Sequence, residues 1–363
     1  MALPDTLLKI RDLRLVIETM QGRFSVLNGV DLEIRESEIV GLVGESGSGK
    51  STLALATIGL IPRPPAKVLE GSRILFKNED LLGLTENEME AIRGTGISMI
   101  FQEPLTSLNP LFTVGDQLGE SVVIALERGR EAAPIPGPPM APGEARPDGK
   151  GKTVATTRSR PDDGKKLNKE EVRLRVVAWL RRVGIPDPEH SYTKYPHEMS
   201  GGMRQRVMIA MAMEAKPSLM LADEPTSALD VTTQAQILGL IRSLKNEFGT
   251  SVLFISHDLA VVAQIADRVA VMYAGMIVEE GAVGEMFESP RHPYTQALLA
   301  SFPGEQSKDE KLQVIPGSVP SLKDIPPGCP FHPRCLYAME KCKAARPVPK
   351  EVGADHRVAC WLY

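Results

Sequence analysis

The stretch Gly44-Glu45-Ser46-Gly47-Ser48-Gly49-Lys50-Ser51-Thr52 constrains the fold more than any other part of the chain. It follows Ile39–Val43, a short apolar and β-branched run that suits a buried strand. It precedes apolar residues 53–60, which suit a helix ended by Pro62, Pro64 and Pro65. Strand, glycine-rich loop and helix start together make an anion cradle. Gly44, Gly47 and Gly49 let backbone N–H groups converge, and the helix N-terminus adds its dipole. In the full pattern Gly44-x-x-x-x-Gly49-Lys50-Ser51, Lys50 reaches β- and γ-phosphates and Ser51 holds Mg²⁺. A Gly/Ser-rich linker is the bland alternative, and the apolar segments on both sides argue against it.

The 363 residues are more than one typical domain needs, so a large domain with an appendage, or two domains, is expected. Hydrophobic residues make up 42% and charged residues 24%, which is ordinary for a globular protein with a sizeable core. A net charge of -4 gives no global basic field, so nucleic acid is not expected as the main partner. Residues 1–10 lack the basic flank and apolar core of a signal peptide, and the chain contains no apolar run of 18 residues. A cytosolic chain that meets the membrane through a partner is the expectation.

Residues 7–17 and 27–34 alternate apolar and polar positions, with Gly22 and the Asn28-Gly29 pair suggesting turns, and read as antiparallel strands. Phe24 lies in the connecting segment, where its ring either stacks on a base or packs into the core. Residues 71–76 read as a strand, as do residues 97–101, which end in Gln102. A glutamine leaving a strand reaches a metal or a water, or is an ordinary loop residue. Helices are expected over 111–127 and over 169–183, the latter with Trp179, Leu180 and Val183 on its apolar side and Gly184 as its stop. Between them, 128–166 is dominated by Pro, Gly and charged residues and reads as a flexible insertion, because it buries too little apolar surface to offset the entropy of ordering.

Ser200, Gly201, Gly202 and Met203 open a helix that runs to residue 214, a second candidate anion site at a helix start, or simply a capped helix with convenient glycines. The methionines at 203, 208, 211 and 213 read as core filling. The apolar strand 219–222 ends in Asp223 and Glu224, placed to accept Mg²⁺ and to polarise a water, although two acids also suit a plain turn. Asp230 follows, available to a neighbouring subunit or to the surroundings of that water. His257 leaves the strand 252–256, where it either reaches a γ-phosphate or is a surface residue.

Taken together, Phe24, Gly44 to Thr52, Gln102, Ser200 to Met203, Asp223, Glu224, Asp230 and His257 resemble the motif order of the nucleotide-binding subunit of ATP-binding-cassette transporters, over roughly residues 5–290. The runs 195–212, 272–275 and 290–298 are similar to the dipeptide and oligopeptide permease branch, and so is the C-terminus. The resemblance implies an α/β P-loop NTPase cassette, with a RecA-like core, an antiparallel β layer and a helical subdomain at about 103–214. Domains of 1–287 and 288–363 follow, the second a permease-type extension.

It implies an ATPase that energises peptide import, in which Phe24 stacks adenine, Gln102 senses the γ-phosphate and lies near Mg²⁺, Asp223 holds Mg²⁺ through water, Glu224 is the general base and His257 the switch. Ser200 to Met203 then bind ATP held by the opposite subunit, with Met199 and Met203 replacing the usual Leu and Gln, as this branch does. Implied partners are a paralogous ATPase, or a second copy, two transmembrane permeases at the cytoplasmic face of the inner membrane and, indirectly, an extracytoplasmic solute-binding protein. Nickel, glutathione and sugar-peptide importers use similar ATPases. Rivals of other classes are a soluble cassette acting on ribosomes or DNA, and a redox-responsive binding module.

All four cysteines, Cys329, Cys335, Cys342 and Cys360, fall within the last 35 residues, at spacings of six, seven and eighteen. Prolines surround them and apolar material is scarce, so a staple is needed. Disulfides do not suit a reducing cytosol, and four thiolates suit zinc or an iron–sulfur cluster. The resemblance implies a [4Fe–4S] cluster, with zinc next and free thiols last, and His332 and His356 are bystanders because four cysteines already complete the set. Replacing 128–166 by a short Gly/Ser link is expected to leave ATPase rate and thermal midpoint nearly unchanged. Lost transport by a variant that still folds would show that the insertion has a partner.

Overall fold

A computed structural model describes residues 5–103, 107–127, 168–301 and 315–363, and the insertion expected at 128–166 lies outside them. The chain divides into two compact units, Met1–Gln102 with Ser218–Ser227 and Arg242–Tyr363, and Glu103–Pro217 with Ala228–Ile241.

The first unit carries two sheets. β1 (Thr6–Thr19) and β2 (Gly22–Arg35) form a long antiparallel pair, joined by β4 (Ala66–Val68), β5 (Arg73–Phe76) and β6 (Glu79–Asp80). The expected antiparallel layer is present, but its turn lies at residues 19–22. Asn28-Gly29 falls inside β2, where the register slips between Leu13 opposite Val30 and Arg14 opposite Asn28. Gly29 sits there at φ +93, and this local bulge has the sequence signature of a turn. Phe24 is likewise a strand residue, opposite Ile17.

The second sheet places β3 (Ile39–Val43), β7 (Ile97–Ile100), β8 (Leu219–Asp223), β9 (Ser251–Ser256), β10 (Arg268–Tyr273), β11 (Met276–Ala282), β12 (Lys350–Gly353) and β13 (His356–Val358) in the order β12-β13-β11-β10-β3-β9-β8-β7. β10, β3, β9, β8 and β7 are parallel neighbours. Every residue of β3, β8, β9 and β10 is buried, which is why β3, β8 and β9 read as largely apolar runs. The helix after the glycine-rich loop is Lys50–Thr57, shorter than expected, because Gly59 turns into the left-handed region at φ +65 before the prolines are reached.

The C-terminal extension continues this same sheet. Glu279 and Glu280 of β11 are almost fully buried and anchor it. Glu279 accepts from the backbone N–H groups of Arg291 at 2.6 Å and His292 at 2.9 Å and meets His356 Nε2 at 2.8 Å. Glu280 binds Arg268 and also Arg357, the latter at 2.9 Å, and Arg268 reaches Glu38 at 2.9 Å. Buried acids of this kind are tolerated only when each oxygen has a partner.

The second unit is helical, with Val114–Glu127, Lys169–Arg182, Pro188–Ser191, Gly201–Glu214 and the start of Val231–Phe248. Leu118, Val122, Val176, Trp179, Leu180, Ile209 and Met213 are buried at helical spacing and form its core. The first of these helices begins three residues later than expected: Thr113 and Asp116 cap each other reciprocally, leaving Leu111 and Phe112 exposed. Met208 and Met213 are buried as expected of core filling, whereas Met203 and Met211 are only partly so.

Glu214 ends its helix only 2% exposed, and its Oε2 finds no hydrogen-bond partner among the described residues. Burial pushes its carboxyl up to about 7, against the opposing pull of Arg175 and Lys216. A raised carboxyl favours the fold fully below its unfolded value near 4.5, and that contribution is lost as pH rises through about 7. Between pH 4.5 and 8 the loss is about 3 kcal/mol. Glu214→Gln is therefore expected to flatten the fall in stability over this range, measured as denaturant midpoints at pH 5 and pH 8. Parallel midpoints for wild type and variant would remove Glu214 as the cause.

Candidate functional site

Ligands of open α/β sheets bind outside the carboxyl ends of the parallel strands. That edge here gathers Lys50 and Ser51 after β3, Gln102 after β7, Asp223 and Glu224 at the end of β8, and His257 after β9. Gly44, Glu45, Ser46, Gly47, Ser48 and Gly49 form the loop between β3 and its helix. A Cβ on Gly44 would lie 2.2 Å from the Met272 carbonyl oxygen, and Gly49 holds φ +106, so neither position tolerates a side chain easily. The first helical turn, Lys50 to Thr52, leaves N–H groups without intrahelical acceptors, as an anion site requires.

The Lys50 ammonium is buried and donates to the carbonyls of Gly44 at 2.8 Å and Glu45 at 3.0 Å. Burial lowers its pKa, while Glu224, Asp223 and Glu45 favour the charged form. Ser51 Oγ donates to Asp223 Oδ1 at 3.1 Å. Burial raises the Asp223 pKa and the Ser51 hydrogen bond opposes that shift. These adjacent oxygens fit Mg²⁺, which takes few protein ligands and completes its shell with water and substrate phosphate.

Glu224 turns sharply out of β8 at φ +46, held by its N–H on Ile255 O at 3.0 Å and by its carbonyl, which accepts from Ser227 N at 3.1 Å and Ser227 Oγ at 3.0 Å. Its carboxylate accepts from Gln102 Nε2 at 3.1 Å through one oxygen and stands 3.2 Å from His257 Nδ1 through the other. Gln102 is thus placed on Glu224, and among the described residues its side chain has no hydrogen bond to Ser51 or Asp223. Phe24 lies on β2, where Lys323 Nζ stands 5.6 Å from its ring centre.

Ser200, Gly201, Gly202, Met203 and Asp230 belong to the helical unit. Ser200 Oγ accepts from Met203 N at 3.3 Å, and Asp230 caps the Val231–Phe248 helix by accepting from Thr233 N at 2.9 Å. A Cβ on Gly202 would lie 2.7 Å from Thr233 Cγ2, so close helix approach already accounts for that glycine.

Two residues without a role in the sequence reading reach the loop. The Tyr294 hydroxyl accepts from Glu45 N at 2.9 Å, and Arg334 donates to both Glu45 carboxylate oxygens at 2.7 and 3.0 Å. The permease-like run 290–298 contains Tyr294 and was the one available signal; nothing local marks Arg334. The four cysteines are free thiols that line one small cavity with Phe331, Tyr337 and Trp361. Burial pushes the Cys329 thiol up to about 11 and raises Cys335 and Cys360 as well. Among the described residues no three His, Cys, Asp or Glu side chains are disposed to hold one metal ion.

Residues 27–227 match the ABC transporter family model, and residues 278–342 match the C-terminal region of oligopeptide/dipeptide transporters. The chain is 45% identical to the oligopeptide transport ATP-binding protein OppD of Bacillus subtilis, over 98% of this chain and 88% of that protein. It is 42% identical to the dipeptide transport ATP-binding protein DppD of the same organism, over 99% and 95%. Among solved structures, the dimeric post-hydrolysis state of the ATP-binding cassette MJ0796 bound to ADP and Pi is similar, with a TM-score of 0.59, 25% identity, and 76% and 98% of the two chains covered.

Proposed function

The chain belongs to the ABC transporter family, and from that premise we propose that it is the ATP-hydrolysing subunit of an importer of dipeptides or oligopeptides. One observation carries the mechanism: the Glu224 carboxylate is held between Gln102 and His257, one residue beyond the Asp223 that accepts from Ser51. Glu224 is the base. It takes a proton from the attacking water as the water oxygen bonds to the γ-phosphorus and the bond to the bridging oxygen breaks, releasing ADP and phosphate. Gln102 and His257 fix the carboxylate's direction, and the Lys50 ammonium stabilises charge on the phosphate oxygens. Ser51 and Asp223 would hold Mg²⁺. When bound, Mg²⁺ neutralises phosphate charge.

Phe24 supports adenine, while Ser200 to Met203 and Asp230 serve the nucleotide of an opposing cassette. That cassette is a paralogue, with a second copy of this chain as the alternative. The match at 278–342 and the names of the relatives favour peptides over nickel or glutathione as cargo. No helix of the described residues is long and apolar enough to cross a membrane. As the relatives' transport role suggests, we assign the path to two permease subunits, with this chain on their cytoplasmic face and a solute-binding protein on the far side.

Glu224→Gln is expected to bind ATP nearly as wild type does while turnover falls by roughly 10²- to 10⁴-fold, and Lys50→Ala to weaken ATP binding itself. Nucleotide titrations beside steady-state phosphate release separate the two, and normal turnover by Glu224→Gln would end its assignment as base.

The four cysteines we assign to a [4Fe–4S] cluster of structural role, with zinc as the alternative. The reading rests on four thiols around one cavity in a proline-rich segment. Anaerobically purified protein is expected to be brown and to contain iron and acid-labile sulfide in equal amounts. Colourless protein carrying one zinc would exclude the cluster.

A further inference from the structure

The loop residue Glu45 is gripped from outside the loop on three of its atoms. Its backbone N–H donates to the Tyr294 hydroxyl at 2.9 Å, and its two carboxylate oxygens accept from Arg334 at 2.7 and 3.0 Å. Arg334 is a buried residue on the short turn His332–Arg334, between Cys329 and Cys335. Its Nε donates to Pro316 O at 2.9 Å and its Nη1 to Tyr273 Oη at 3.3 Å. Tyr273 packs edge to face on Tyr294 and Phe331, which tilt against each other, with ring centres 4.7 to 5.3 Å apart, and all three are buried.

A guanidinium with this many fixed acceptors has little freedom, and a bidentate pair fixes direction as well as distance. The grip is also selective. Lys50 Nζ donates to the carbonyl of Gly44, in the very peptide whose N–H Tyr294 holds, and to the carbonyl of Glu45 itself, so the residue gripped by Tyr294 and Arg334 is one that orients the phosphate-binding ammonium. No part of Arg334 belongs to the loop, the strand before it or the helix after it.

We propose that Arg334, acting through Glu45, is a positioning residue for ATP binding, and that the C-terminal cysteine segment is thereby a structural part of the nucleotide site. The inference rests on the phosphate loop being the ATP site. Arg334 does not touch the phosphates; it holds the loop in the shape that receives them. A loop freed at Glu45 still carries Lys50 and Ser51 but must be ordered by each nucleotide that binds, which weakens affinity and leaves the chemical step unchanged.

The test uses the full chain and Mg·ATP. Arg334→Met, which keeps volume and removes charge, and Glu45→Ala are each expected to raise the Kd and KM for ATP by about tenfold while kcat stays within about twofold. The double variant is expected to lose no more than either single variant, because both remove the same interaction. Arg334→Lys, which keeps charge but not the fork, is expected to recover only part of the affinity. If Arg334→Met destabilises the chain, Glu45→Gln and Tyr294→Phe test the grip from the other side, with thermal midpoints recorded for all. Wild-type affinity in folded Arg334→Met, losses that multiply in the double variant, or a fall in kcat alone would each overturn the proposal. A wild-type chain that does not bind ATP would instead remove the reading on which it rests.

Discussion

A buried ammonium governs the architecture of the first unit. Lys50 lies 5% exposed at the start of its helix, in surroundings that lower its pKa, so its charge persists only where carbonyls and carboxylates converge on it. Gly44 and Glu45 supply the carbonyls, and Asp223, Glu224 and Glu45 supply the field. Those groups come from two strands that are not sequence neighbours and must be brought into register by the sheet. The order β3-β9-β8 achieves this, setting Asp223 opposite Ile255 and Ser256 opposite Val43. A slip of one residue would turn the acids away, because successive strand residues face opposite sides.

The same requirement for partners explains how the C-terminal extension is held. Residues 315–363 contain little that could form a core of their own, and they attach through charge as well as through Phe331 packed on Tyr273 and Tyr294. Glu279, Glu280, Arg268 and His356 are each at most 6% exposed, and each is satisfied by another member or by backbone. Removing one partner from such a set costs roughly 3–5 kcal/mol, because the remaining charge is left buried and uncompensated. β12 and β13 are therefore an edge of the cassette sheet, and only two register pairs, Glu279 with Val358 and Glu280 with Arg357, join them to β11.

Most of the strand–loop–helix skeleton was legible because its signals are local. The continuous apolar runs of β3, β8 and β9 mark strands buried on both faces, and the acids, glutamine and histidine stand at their ends by chain order alone. What misled was equally local. Asn28-Gly29 has turn chemistry but serves a bulge, and Thr113 moved a helix start by capping it with Asp116. The grip on Glu45 was invisible for a different reason. Arg334 lies 289 residues away in sequence, and a long-range ion pair leaves no periodicity or spacing to read.

The conformation of Glu224 separates chemistry from packing at this site. A left-handed φ of +46 costs a non-glycine residue of the order of 1–3 kcal/mol, and glycine would remove that cost. The turn is held against the strain by the Ile255 carbonyl and by both the N–H and the hydroxyl of Ser227. A glycine would keep the backbone hydrogen bonds and lose only the carboxylate, so fold stability alone gives no reason for an acid here. Nor does burial, since the Glu224 side chain is only 15% exposed and burying a carboxylate is unfavourable. An acid kept in a strained turn, with one oxygen on Gln102 and the other beside His257, is a group whose direction matters more than its contribution to stability. Direction is what the base proposed for Glu224 requires.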